Sequence, residues 1–320
     1  MDRRRALGVA LAVASACGYG SGPLFAKGVY GAGLDWLALL AWRFLIGALL
    51  SWAWLLARPA DRAALRRLGR RRLLALLGLG AFFVGNAGTY YAALETIPAS
   101  LAALIVYVYP ALVAVLAIRF GRALEGRRPS AALAIVMLGV GLTIGGIKTR
   151  ADPLGLALIC SSPLIYSAYI LLSARLAGER PGSTAHERTG DAATRPAVAA
   201  AVMLTGTWAV VTGLAAAARE PLLPWQVPVA AWPGLLGIAV LSTALAIQAF
   251  YAATARIGAA QTSLVSTVEP VYTIVLATVL FGEQLAPLQV VGAGLVLGGV
   301  LLAQTTPGAE AELAAVREEP

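Results

Sequence analysis

Thr262, Ser266, Glu269 and Thr273 follow one another at spacings of four, three and four residues, so on a helix they share one face, with Ser263 and Thr267 beside them. The stretch that carries them, QTSLVSTVEPVYTIVLATVL from Gln261 to Leu280, is otherwise apolar and long enough to cross a bilayer. A carboxyl group near the centre of such a helix costs about 3 kcal/mol on insertion scales unless it faces protein, water or a solute. Glu269 is therefore expected to face inward, where it would bind a cationic solute group or exchange a proton with it. A structural reading competes with this one. Pro270 has no amide proton, so a carbonyl one turn earlier loses its donor, and a protonated Glu269 would be a ready partner for it.

Other polar and aromatic side chains inside apolar stretches complete the candidate solute-binding set. Tyr19, Tyr91, Tyr107, Tyr109, Tyr166 and Tyr251 would form an aromatic lining, and Tyr90 would extend it. Asn86, Gln248 and Gln261 are amides that either touch the solute or bridge helices. Arg43, the basic residue lying well inside a span, reads as a structural arginine that bonds backbone carbonyls or snorkels, in preference to the alternative of direct contact with the solute. Lys27 and Glu95 stand at the outer ends of spans and would form an external gate pair, while Glu283 would be stabilised at the turn into the last span.

The elements that hold these residues are set by composition. Of the 320 residues 59% are apolar and 13% charged, and long apolar runs recur from end to end, which defines an all-α integral membrane protein. Ten apolar segments are expected at 7–26, 36–57, 72–94, 98–118, 129–147, 153–173, 197–218, 231–252, 259–281 and 286–304. The net charge of +9 does not indicate nucleic acid, because twenty of the 25 Lys and Arg fall in connections that all lie on one side, with four on the other. That asymmetry puts both termini in the cytoplasm. Cys17 and Cys160 lack metal-ligand spacing, so no metal and no cofactor is expected. The apolar run after MDRRR continues past Cys17 to about Ala26, which makes it a retained first span and not a cleaved leader.

The chain also repeats itself. A shift of 160 pairs residues 89–110 with 249–270 and matches eight of 22 positions, including Tyr91 with Tyr251 and Pro110 with Pro270. A shift of 147 pairs the first and sixth spans and matches Tyr19 with Tyr166. Two halves of five helices follow, and because five is odd they are inverted relative to one another, an arrangement that encloses a midplane site open to either side in turn. Glycine pairs Gly141/Gly145 and Gly294/Gly298 read as close helix-packing faces, without the spacing of a nucleotide loop.

LLAWRFLIGALL in span two, IPASLAALIVYVYPAL in spans three to four, and VSTVEPVYTIVLATVLFGEQLAPLQVVGAGLVLGGVLL in spans nine to ten resemble the EamA family of the drug/metabolite transporter superfamily. The resemblance covers almost the whole chain. It implies ten transmembrane helices as two inverted five-helix repeats, 1–147 and 148–304, with 305–320 a disordered cytoplasmic tail. Helices one, three, four, six, eight and nine would surround a cavity, and five and ten would brace it. It also implies export of amino acids or related amphipathic solutes across the plasma (inner) membrane by alternating access, without direct use of ATP. The partners would be the solute and the lipid bilayer, with proton coupling through Glu269 as one option and a monomer or homodimer as the assembly. Two readings compete, an intramembrane enzyme and a non-transporting receptor or scaffold. The first lacks a His-Glu-x-x-His, a Gly-x-Ser-x-Gly and paired membrane aspartates, so no catalytic residues are assigned. The second leaves the repeat and the buried acid unexplained.

The charge asymmetry makes a direct prediction. Reporters fused within the Arg58 to Arg72 connection and after Pro320 should both report cytoplasm, and an external signal from either breaks the ten-span scheme.

Overall fold

The computed structural model describes residues 3–109, 112–113, 128–145, 152–176 and 195–304. The first span is two helices, α1 (Arg3–Gly20) and α2 (Gly22–Gly31), interrupted at Ser21. Then come α3 (Trp36–Leu56), a short α4 (Pro59–Arg66), α5 (Arg70–Ala93), α6 (Ala99–Val106), α7 (Arg128–Gly145), α8 (Pro153–Leu176) and α9 (Pro196–Ala217). After α10 (Trp232–Ala239), a π-helical turn over Val240–Leu245 leads into α11 (Ala246–Ser266), α12 (Val268–Phe281) and α13 (Pro287–Gln304). All regular structure among the described residues is helical. Six stretches are long and apolar enough to cross a membrane, and shorter apolar helices accompany them. Leu154 at 66% and Val279 at 72% exposure show outer faces suited to lipid tails. The chain is a multi-pass membrane protein.

Local chemistry explains the boundaries. Asp35 caps α3 by accepting from the amides of Leu37 and Ala38 at 2.9 and 2.8 Å, and Gly282 ends α12 in the left-handed region at φ 66°, where glycine carries no Cβ penalty. The α4 helix sits in a connection expected to be irregular. Pro59 starts it, and Asp61, buried in its first turn, pairs with Arg195 at the head of α9. Leu65 and Leu68 pack against a cluster of Leu55, Leu76, Val198, Ala201 and Val202, so the short helix is pinned by its apolar side.

Two expectations are corrected. The turn between the eighth and ninth segments is absent as a loop, since α11 remains helical from Ala246 to Ser266. The chain reverses further along, between Ile257 and Thr273. It passes Gly8 at Ile257, yet by Thr273 it is bonded to the Gly20 carbonyl, twelve residues back up α1. The expected glycine faces are also displaced. Gly141, Gly294 and Gly298 meet nothing within 4 Å, and the Cβ environment of Gly145 lies outside the described residues. Instead α7 and α13 approach through Gly139 and Gly292, where a methyl on Gly139 would lie 2.7 Å from the Gly292 carbonyl oxygen. A second close approach joins α5 and α9, with Gly80 against the Met203 backbone and Gly206 against the Leu77 backbone.

Because the colliding atoms at Gly80 and Gly206 are backbone, they cannot rotate away. Gly80→Val or Gly206→Val should cost about 3 kcal/mol or more by overpacking and reduce the monodisperse fraction on size-exclusion chromatography. Gly213→Ala, which meets open space, is the control expected to behave as wild type.

Candidate functional site

Two helix interruptions frame the site. α6 ends at Val106 and α11 at Ser266, and the residues that follow, Tyr107 and Thr267, are 160 positions apart in the chain. The cause is visible at the second break. Pro270 cannot donate to the carbonyl four residues earlier, which belongs to Ser266. The hydroxyl of Tyr107 donates to that oxygen at 2.8 Å and lies 3.1 Å from Glu269 Oε2. The freed carbonyl is thus satisfied by a tyrosine from the other half of the chain. The carboxyl of Glu269 meets the same hydroxyl.

The hydroxyls of Ser266 and Thr273 turn to backbone. Ser266 Oγ donates to the Thr262 carbonyl at 2.9 Å, and Thr273 Oγ1 sits 2.9 Å from the Gly20 carbonyl and 3.0 Å from that of Glu269. Thr273 therefore supports the first-span interruption, together with Ser21, whose hydroxyl bonds the Cys17 carbonyl at 2.8 Å and meets Tyr272 Oη at 3.1 Å. Glu269 is half-buried beside them. It lies within electrostatic reach of Tyr19, Tyr90, Tyr91, Tyr109 and Tyr166.

These tyrosines form a connected wall. Tyr107 meets Tyr109 at 5.8 Å between ring centroids, Tyr109 meets Tyr166 edge-on at 4.7 Å, and Tyr166 stacks on Tyr169 at 5.9 Å. Phe83 continues it, 4.9 Å from Tyr169 and 6.2 Å from Phe44. Tyr169 and Phe83 were not read from sequence as site residues; the Tyr166/Tyr169 spacing of three, which puts both on one helix face, was the available signal. Tyr251, 36% exposed, lies within electrostatic reach of Tyr19, Tyr166 and Tyr169.

The amides divide. Asn86 donates to the carbonyl and hydroxyl of Ser162 at 3.1 and 3.0 Å and so bridges α5 to α8. Gln248 is half-buried on α11, and the side chain of Gln261 lies outside the described residues.

At the opposite end of the site the gate pair is corrected. Lys27 and Glu95 do not meet: Lys27 Nζ donates to the Ile97 carbonyl at 2.9 Å, and Glu95 Oε1 accepts from the Trp36 amide at 2.8 Å. Glu283 reaches across instead to cap α6, accepting from the amides of Ala99 and Ser100 at 2.9 Å each and from Ser100 Oγ at 2.6 Å. Asp152 bonds Thr96 at 3.2 Å on the same rim. Burial raises the Glu95 carboxyl above the ordinary range against the pull of the Trp36 amide. Burial also raises that of Glu220, reinforced by its hydrogen bond to Asp35 and by the Asp35 charge.

Two predictions follow from this geometry. Tyr107→Phe leaves the Ser266 carbonyl without its donor and should lower stability by about 1–3 kcal/mol, read as a fall in thermal midpoint in detergent. At the rim, carboxyls raised in the folded state hold protons more tightly than in the unfolded chain. Stability should therefore decline as pH rises from the ordinary carboxyl value of about 4 through the raised values, and Glu220→Gln should make that decline shallower.

Comparison with known proteins agrees with this architecture. The EamA-like transporter family matches residues 6–145 and again 153–305. A relative from Bacillus subtilis (strain 168), named "Uncharacterized transporter YcbK", is 30% identical over 171 residues, a match spanning 51% of this chain and 50% of that protein, about half its length. A crystal structure titled "Crystal structure of protein" superposes with a TM-score of 0.63 over 98% of this chain and 99% of its own, at 19% identity, which is a likeness of fold. With nearly its whole length matched by one family in two consecutive segments, the chain belongs to the EamA-like transporter family.

Proposed function

We propose that this protein is a secondary transporter that moves small amphipathic metabolites, such as amino acids and their relatives, outward across the plasma membrane by alternating access. On this reading the chain forms ten spans in two inverted five-helix repeats, with both termini in the cytoplasm, and carries solute without catalysing a reaction. The observation that carries it is the junction at Glu269, where an acid inside the membrane stands beside a hydroxyl from the other half of the chain and faces a wall of tyrosines. Intramembrane ionisable groups mark solute and proton pathways. Interrupted helices whose backbone lines a cavity are the usual construction of transporter sites. The breaks after Val106 and Ser266, the matching shift of 160, and the two family matches support the repeat.

The rim contacts give the mechanism its direction of reasoning. Lys27 to Ile97, Glu283 to Ala99 and Ser100, and Asp152 to Thr96 tie one end of the bundle together, so solute at Glu269 would reach that side only after these bonds open. Alternating access then amounts to exchanging this closure for one at the other end.

The test is flux in proteoliposomes. Wild-type protein should move an amphipathic metabolite in a pH-dependent manner. Glu269→Gln, which keeps size and hydrogen bonding but does not titrate, should lower flux about tenfold and flatten the pH profile. Wild-type flux with wild-type pH dependence in the Gln variant sinks the role of Glu269.

A further inference from the structure

Arg43 lies seven residues into α3, about 10 Å along its axis, in a span that is otherwise apolar. A guanidinium cannot shed its proton to ease burial, so it needs partners. Among the described residues no carboxylate comes within ion-pair distance of it; the ion pair present joins Asp61 to Arg195 elsewhere. Its Nε donates to Thr243 Oγ1 at 2.9 Å. Thr243 occupies the π-helical turn at Val240–Leu245 and itself bonds the Ile238 carbonyl at 3.0 Å, so the bond that orients Arg43 is anchored. The guanidinium carbon lies 4.9 Å from the ring centroid of Tyr91 and 5.2 Å from that of Phe44. The guanidinium also hydrogen-bonds the Tyr91 side chain, and no anion of the protein among the described residues matches its Nη fork, the part that fits a carboxylate.

The position of Arg43 relative to the site gives this meaning. Phe44 begins the aromatic wall that runs through Phe83, Tyr169, Tyr166, Tyr109 and Tyr107 to Glu269. Tyr90 and Tyr91 lie within electrostatic reach of both Arg43 and Glu269. Gly22 stands against this corner, where a methyl would be 2.8 Å from Tyr91 Oη and 3.0 Å from Ser242 Oγ, so hydroxyls surround the approach to the guanidinium. A fixed cation and a fixed acid thus close the two ends of one aromatic surface.

We propose that Arg43 is an anion subsite that binds the carboxylate of the transported solute through its Nη fork, while Thr243 positions it. The proposal rests on the transport reading and narrows it to solutes carrying a carboxylate. An arginine with a purely structural role would stabilise the bundle without distinguishing solutes.

The experiment uses the full chain in proteoliposomes with two probe pairs, leucine against leucinamide and phenylalanine against phenylalaninamide, which differ in the carboxylate alone. Wild type is expected to move the amino acid about tenfold faster than its amide. Arg43→Gln should bring that ratio close to one, and Arg43→Lys should fall between, because a point charge replaces the fork. If Arg43→Gln does not fold, Thr243→Val removes the orienting bond at constant shape and should reduce the same ratio. The proposal is overturned if the variants slow acid and amide by the same factor, if wild type moves the amide as fast as the acid, or if it moves neither pair. Flux of another metabolite by wild type in any of those cases keeps the transporter reading and discards this subsite.

Discussion

The structure depends on one missing proton. Pro270 has no amide hydrogen, and inside a bilayer the carbonyl it leaves behind has no water to turn to, so an unpaired Ser266 oxygen would cost several kcal/mol. The Tyr107 hydroxyl fills that need at 2.8 Å, and doing so fixes three other things. It draws the end of α6 against the start of α12. It opens both helices at equivalent places. It also brings a phenol to 3.1 Å from Glu269, so the acid does not have to serve the backbone and remains oriented toward the tyrosine wall. Loss of a backbone hydrogen bond has become the means of aiming a carboxyl group.

The same economy of backbone recurs at the first span. Around its interruption at Ser21 the carbonyls of Cys17, Gly18 and Gly20 accept from the hydroxyls of Ser21, Ser242 and Thr273. The π-helical turn that carries Ser242 also carries Thr243, the partner of Arg43. One irregular turn therefore braces the broken first helix on one side and orients a buried cation on the other. Irregular backbone at membrane depth is tolerated where protein surrounds it, and both irregularities here meet that condition.

Much of this was legible in the sequence because it follows from composition and period. Apolar runs gave the multi-pass helical character, the three- and four-residue spacing put Ser266, Glu269 and Thr273 on one helix face, and Pro270 marked a place where a helix breaks. What was not legible required knowing which helices touch. The sequence shows that Pro270 frees a carbonyl but not that Tyr107, 159 residues from Ser266, reaches it. Lys27 and Glu95 looked like a pair because both stand at span ends, yet each found a nearer backbone partner, and Glu283 bound an amide pair on another helix. The glycine motifs were located correctly to within one turn, but Gly139 and Gly292 face the partner while Gly141 and Gly294 face away, a distinction of 200° on a helix that only the packed interface decides. The α4 helix was hidden because it is only eight residues long and Leu65 is its one large apolar residue.

The central claim is that Glu269 faces the solute path while Tyr107 serves the proline-freed carbonyl. Solute-induced infrared difference spectroscopy of the reconstituted protein tests it most directly. The account predicts that a transported solute shifts or removes a carboxyl C=O band in wild type and that this change is missing in Glu269→Gln. Identical solute-induced carboxyl bands in the two proteins would contradict it.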